Sequence, residues 1–286
     1  MMQDRTLQSE AAGGMAADKP CVFTRLSWLA PFATLAAIVA LGLWFVSQPA
    51  HAAEGETHME HVDWSFDGVF GRYDPNQLRR GYKVYKSVCA SCHSMDYAAF
   101  RNLKDEGGPM FTEEQAAAIA AEYTVVDGPN ADGEMFERPA GLKDAFPAPY
   151  PNDQAASAAN GGALPPDLSL LAKARKGGAD YIYSLMIGYE DPPEGEELSP
   201  GLYYNNAFPG HAIAMPPPLA EGIVEYEGGP DATVEQMAKD VSAFTMWAAE
   251  PKLDERKRTG FVVLIYLSVL AVLLYFTTRK LWSKVH

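Results

Sequence analysis

Asp74–His93, DPNQLRRGYKVYKSVCASCH, is the stretch whose reading decides the fold. Asp74 is placed to cap a helix, Pro75 takes its first position, and Gln77 is spaced to reach back to the cap. Leu78, Tyr82, Tyr85 and Val88 then recur at helical spacing, so the predicted helix runs directly into Cys89. Cys89-Ala90-Ser91-Cys92-His93 is the Cys-x-x-Cys-His pattern of c-type haem attachment. Two thiols one helical turn apart can reach the two vinyl groups of one porphyrin, and the next residue brings an imidazole beneath the iron. A zinc site would need more strong ligands than this region has cysteines to supply. A thioredoxin-type redox pair would follow a strand rather than end a helix. The motif therefore predicts one haem c, covalent through Cys89 and Cys92, with His93 as an iron ligand.

The sixth ligand must come from elsewhere, and Met or His can supply it, Met raising the reduction potential. His58 and His61 lie upstream of the motif. His211 and Met215 lie in one loop, Met215 within AIAMPPPL, residues 212–219. An apolar flank and a run of prolines restrain an otherwise flexible thioether, so Met215 is the favoured ligand and His211 the runner-up. Haem propionates call for cations or donors. Arg138, beside Pro139 in a long loop, has a planar fork suited to a carboxylate, although a solvated arginine fits the residues equally well.

Further helices are predicted from capping boxes at Thr112–Gln115, opening an Ala-rich helix to about residue 123, and at Thr233–Gln236, opening one whose face carries Met237, Val241, Phe244 and Ala248 and which ends at Pro251. Residues 168–176 read as a helix stopped by Gly177-Gly178, and Asp180 as the cap of another ending near Ile187. Residues 127–162 and 192–218 are rich in Pro, Gly, Asn and Asp and read as long ordered loops. No segment alternates with a period of two for long. The expected fold is all-α with long ordered loops, plus one C-terminal transmembrane helix.

The chain ends carry targeting signals. Trp28–Val46 is apolar, is preceded by Lys19 and Arg25, and is followed by Ala50-His51-Ala52, a secretory signal pattern with cleavage expected after Ala52. Cys21 would be removed with it. Gly260–Thr278 has no charge and can just span a bilayer core. The expected organisation is a signal peptide over 1–52, an exported cytochrome domain over 53–259, a transmembrane anchor over 260–279 and a cytoplasmic tail over 280–286. Residues 53–259 hold 34 acidic against 17 basic side chains, a net of −17. That charge argues against nucleic acid and against docking on anionic lipid, and favours a basic soluble partner. The run Glu190, Asp191, Glu194, Glu196 and Glu197 could steer such a partner or simply be solvated.

The motifs RGYKVYKSVCASCHSMDY, DGPNADGEMFERP, FPAPYPN, AANGGALPPDLSL, GGADYIYSLMIGYEDPP, GLYYNNAFPGHAIAMPPPL, VEQMAKDVSAFTMWAAEP and DERKRTG, from about Trp64 to the end, together resemble cytochrome c1, the haem c subunit of the cytochrome bc1 complex. The resemblance implies a class I cytochrome c-like domain, thioether bonds at Cys89 and Cys92, His93 and Met215 as axial ligands, and Arg138 near a haem propionate. It implies a redox subunit of a ubiquinol–cytochrome c reductase. This subunit would take an electron from a Rieske iron–sulfur protein and pass it to a soluble c-type cytochrome. It further implies a cytochrome b subunit as neighbour, a dimeric complex, and a place in the bacterial inner membrane with the haem domain on the periplasmic side. Some bacterial relatives carry an extra cysteine pair in the ligand half of the domain, and some have Cys where Glu190 stands. Without these, packing of Phe208, Ile213 and Leu219 is expected to secure the Met215 loop. A stand-alone membrane-anchored electron carrier is the alternative, and a haem-based sensor with an open sixth position a third reading.

Overall fold

A computed structural model describes residues 57–283. The expected signal peptide, its cleavage point and the last residues of the expected tail lie outside the described residues. Seven α-helices occur among the described residues: α1 (Pro75–Ser87), α2 (Glu113–Ala121), α3 (Asp153–Ala159), α4 (Leu171–Ala174), α5 (Ala179–Ile187), α6 (Val234–Ala249) and α7 (Leu253–Trp282). Short 3₁₀ turns cover Cys89–Ser91 and Phe100–Lys104.

The all-α expectation is corrected in part: the protein is mostly helical, but two small antiparallel ribbons interrupt the predicted loops. Thr124–Asp127 (β1) pairs with Phe136–Pro139 (β2), in the register Val125 opposite Arg138. Tyr203–Tyr204 (β3) pairs with Ala212–Ile213 (β4). Strands of two to four residues are too short to show alternation in sequence, which is why the periodicity missed them. The helix expected over 168–176 shrinks to α4.

The caps bear out the chemistry of the helix starts, with three differences, one being that Gln236 turns its side chain to Asp240 instead of closing the box expected at Thr233. Asp74 accepts from Asn76 N–H at 2.9 Å, while Gln77 is buried in the core and does not fold back. Thr112 and Gln115 form the full reciprocal box. Asp180 caps nothing, since it lies inside the first turn of α5, whose N-cap is Gly178 without a side-chain cap bond. Its carboxylate instead accepts from Val62 N–H, Trp64 Nε1–H at 2.6 Å and the His61 ring at 2.8 Å, tying the entry segment to α5.

The main core forms where α1 crosses α6. Leu78, Tyr82, Val84 and Tyr85 of α1 pack with Met237, Val241, Phe244 and Trp247 of α6, joined by Phe100, Leu103 and Phe146. The crossing is close because α1 offers Gly81 there: a Cβ at this position would stand 2.1 Å from the Asp240 carbonyl oxygen. The side chain of that same Asp240 is fully buried, and its carboxylate takes a bidentate bond from Arg80, at 2.8 and 3.0 Å, and a third from Gln236. A second, smaller cluster gathers Ala172, Tyr181, Ile182, Leu185, Ile213 and Ala249. α7 is continuous through the charge-free segment 260–278. It is long and apolar enough to cross a membrane, and its most apolar stretch is not buried among the described residues.

Candidate haem site

The helix that leads to the cysteines ends at Ser87, short of the expected run into Cys89, and the attachment motif closes a turn of its own. The N–H groups of Cys92 and His93 both donate to the Cys89 carbonyl, at 3.1 and 2.9 Å, and Ser91 Oγ bonds back to Val88 O at 2.7 Å. This turn packs on the main core through Val88, Cys89 and Ala90. Both thiols are free. Burial pushes the Cys89 thiol up to about 12, so it is held neutral in an apolar setting.

His93 is positioned by a segment 73 residues downstream. Its Nδ1 lies 2.8 Å from the Pro166 carbonyl, which makes Nδ1–H the donor and leaves the Nε2 lone pair for a ligand. Burial lowers its pKa, against a raising contribution from that same bond, so the imidazole is neutral as ligation requires. The next residues are braced on the same strip of chain. Asp167 accepts from Ser94 Oγ and Asp96 N–H, each at 2.8 Å, Ser169 Oγ accepts from Tyr97 N–H, and Leu168 N–H donates to Ser94 O. The sequence reading missed this role of PPDLS. Two consecutive prolines before an Asx-type turn, Asp167 to Ser169 N–H at 2.8 Å, were the available signal.

Met215 packs with the second cluster rather than with the motif's side of the core. Phe208 and Ile213 share that cluster, as expected of the residues securing its loop, whereas Leu219 belongs to the main core. Polar bonds add to the packing. Tyr189 Oη donates to the Met215 carbonyl at 3.0 Å, and the buried Asn205 ties the loop to α5 through the Leu185 carbonyl at 2.8 Å. His211, in a left-handed conformation (φ 56°), stacks on Tyr204 and sets Nδ1 against the Asn205 carbonyl at 3.2 Å. His61 is occupied with Asp180.

Arg138 is not the solvated residue its sequence setting allowed. Its Nη1 and Nη2 grip Asp144 at 2.7 and 2.9 Å, Nε donates to Asp127, and Nη1 also reaches the Pro139 carbonyl. Those bonds use four of the five guanidinium hydrogens and leave one on Nη2. Asp144 and Asp127 are held below the usual carboxylate range chiefly by this arginine. Arg138 thus pins the β1–β2 ribbon to the loop after it.

The donor set fits a c-type haem: two thiols on one turn, an adjacent neutral imidazole oriented through Nδ1, and a restrained thioether elsewhere. It does not fit a protein-only metal centre, because among the described residues no three His, Cys, Asp or Glu side chains cluster as ligands.

Residues 64–285 match the model of the Cytochrome C1 family. Among curated relatives, "Cytochrome c1 1, heme protein, mitochondrial" of Arabidopsis thaliana is 50% identical, over 85% of this chain and 78% of that protein. "Cytochrome c1" of Rhodospirillum rubrum is 46% identical, over 87% of this chain and 97% of that protein. "Cytochrome b/c1" of Bradyrhizobium diazoefficiens is 49% identical over 87% of this chain, which spans only 39% of that longer protein.

Proposed function

The chain belongs to the cytochrome c1 family, and from that premise we propose that it is the haem c subunit of a membrane-bound ubiquinol–cytochrome c reductase. In this role it accepts an electron from a Rieske iron–sulfur protein and passes it to a soluble c-type cytochrome. The observation that carries the reading is the pairing of the Cys89–His93 turn with the Pro166 carbonyl, which gathers two thiols and one oriented, neutral imidazole within a single turn of chain. When bound, haem c supplies a one-electron couple between ferric and ferrous iron. Every other part of the work falls to the chain.

Cys89 and Cys92 would hold the haem through thioether bonds and His93 Nε2 would ligate its iron, while the Pro166 carbonyl fixes the imidazole tautomer and increases its basicity. Met215 would supply the second protein ligand, and a thioether there would favour the ferrous state and raise the potential. Its place in a second core cluster, held by Tyr189 and Asn205, supports a ligand whose position does not depend on the iron alone. Arg138 would have one Nη2 hydrogen left to offer a propionate, since its other four hold the surrounding loops. The crossing of α1 and α6 beside the attachment turn supports a class I cytochrome c-like domain. α7 is the anchor, a signal over residues 1–52 exports the body, and the haem domain stands on the periplasmic side of a bacterial inner membrane. Cytochrome b is the neighbouring subunit, within a dimeric complex.

Purification in mild detergent tests the whole reading. The expected result is a chain that keeps its haem in denaturing gels, shows a reduced c-type absorbance band and travels with cytochrome b. A haem-bearing chain that always separates from cytochrome b would instead support a stand-alone carrier. For Arg138, the midpoint potential of Arg138→Gln should change its dependence on pH, because the propionate loses its cation. An unaltered pH profile in a folded variant would leave Arg138 a purely structural clamp.

A further inference from the structure

The base of α7 carries a second feature that electron transfer does not use. The turn Asp67–Arg72 holds Val69 and Phe70 out in the open, 66% and 76% exposed. This is a built turn. Gly71 is required because a Cβ there would stand 1.9 Å from the Asp67 carbonyl oxygen, and Gly68 takes φ 66°. Arg72 N–H closes it on Ser65 O at 2.8 Å. α7 holds it from the other side: the Lys257 amine donates to the carbonyls of Phe66 and Gly71, and Asp254 accepts from Tyr73 N–H. The exposed Phe70 ring meets Phe261 edge to face, with ring centroids 5.5 Å apart.

Together these residues line a cavity of about 280 Å³, bounded by Val69, Phe70, Arg72, Asp254, Lys257, Arg258, Phe261 and Val262. Its polar half holds three cations against one carboxylate, on a body whose net charge is strongly negative. Among the described residues neither Arg72 nor Arg258 has an ion-pair partner. Its apolar half is continuous with the charge-free length of α7. Cations on one side and exposed aromatic and aliphatic side chains on the other, at the first turn of a span, match the two ends of a phospholipid: a phosphodiester headgroup and the start of its acyl chains.

We propose that Arg72, Lys257 and Arg258 bind the headgroup phosphate of an anionic membrane phospholipid, with Val69, Phe70 and Phe261 seated among its upper acyl carbons. The overall charge argues against docking on anionic lipid, but a net charge says nothing of its distribution, and here the cations are gathered at the one level where lipid headgroups lie. The site rests on α7 crossing the membrane.

Photoactive lipids separate the two readings. Full-length haem-loaded protein in nanodiscs of phosphatidylcholine with increasing phosphatidylglycerol is exposed to two probes, one reactive in the acyl chain and one in a phosphatidylglycerol headgroup. Acyl-chain labelling within residues 263–278 reports the span itself. Headgroup labelling at residues 69–72 and 256–262 is the expected result for the site. Each cation near an anionic surface contributes about fivefold, so Arg72→Gln with Arg258→Gln should lower headgroup labelling at a fixed, low phosphatidylglycerol fraction by roughly twenty-fivefold. The variant's absorbance spectrum checks that its haem domain is intact. Labelling of α7 without headgroup labelling of the turn, or headgroup labelling indifferent to the double substitution, overturns the site while leaving the anchor in place. Headgroup labelling present in nanodiscs but lost in native membranes that contain cytochrome b would mean that a protein covers the cavity, and would also overturn it. Absence of acyl-chain labelling on α7 would remove the anchor and the site together.

Discussion

At the scale of single residues, the proposed iron ligands differ in how the chain holds them. His93 is aimed by one carbonyl, and its neighbours are braced by Asp167, so its orientation survives changes on the other side of the core. Met215 depends on its loop. Met215→Leu should keep haem attached through Cys89, Cys92 and His93, and should lower the midpoint potential in a redox titration because the thioether is gone. An unchanged potential would point to another ligand, with His211 the nearest candidate in the chain. Tyr189→Phe should act more gently. It removes one hydrogen bond worth about 1 kcal/mol, so loss of Met ligation, followed by absorbance, should occur at lower denaturant concentration. The Arg138 clamp predicts a pH effect. Asp144 and Asp127 have lowered pKa values in the folded chain, so their contribution is present above the ordinary carboxylate pKa of about 3.9 and is lost as pH falls through the lowered values. Asp144→Asn should therefore destabilise the β1–β2 ribbon at neutral pH, and its difference from the natural chain should narrow in acid, as read by hydrogen exchange.

At the scale of elements, the crossing of α1 and α6 is the least tolerant contact. Gly81→Ala sets two effects against each other. Alanine gains about 1 kcal/mol of helix propensity over glycine. The new Cβ, however, meets backbone at 2.1 Å and Phe244 Cβ at 2.7 Å, so the helices must part, and overpacking of this kind costs about 1–3 kcal/mol. The steric effect should win, giving a lower thermal midpoint. Arg80→Ala should cost more, about 3–5 kcal/mol, because it strands the buried Asp240 carboxylate with Gln236 as its remaining side-chain donor. Denaturant unfolding of the haem-loaded protein measures both, and a ranking with Gly81→Ala below Arg80→Ala is the expected order.

At the scale of the whole molecule, the boundary between body and anchor does not fall where charge ends. α7 begins at Leu253, which is buried, and its first turns supply Asp254 and Lys257 to the turn at residues 67–72. Truncation after Thr259 should release a soluble cytochrome with a normal spectrum. Truncation before Leu253 should release one that melts at lower temperature, since the entry segment loses its clamp. If both fragments melted alike, the base of α7 would belong to the anchor alone. The acidic surface predicts that electron transfer to a basic soluble cytochrome slows as salt rises, through screening over about 8 Å at physiological ionic strength. Glu190 is engaged with Asn206 near the Met215 loop, so Asp191, Glu194 and Glu196 are the cleaner residues to neutralise. A reduced salt slope in that triple variant, by stopped-flow, would place the run on the docking face.

The haem motif, the capping box at Thr112, the N-cap at Thr233, the start of α1 and the apolar length of α7 were legible in the sequence by itself, because each depends on residues within a few positions of one another. Local hydrogen bonds and helical periodicity leave their pattern in the order of residues. What only the tertiary structure decided are the partners brought together across long separations: Pro166 against His93, Tyr189 against Met215, Asp180 as a tie for Trp64 instead of a cap, Arg138 as a clamp on Asp127 and Asp144, and the cations of Arg72, Lys257 and Arg258 around one cavity. The strands were missed for the same reason. Pairing two or four residues with a distant partner is driven by burial and by satisfaction of backbone groups across the fold, and neither is encoded in a window of neighbours.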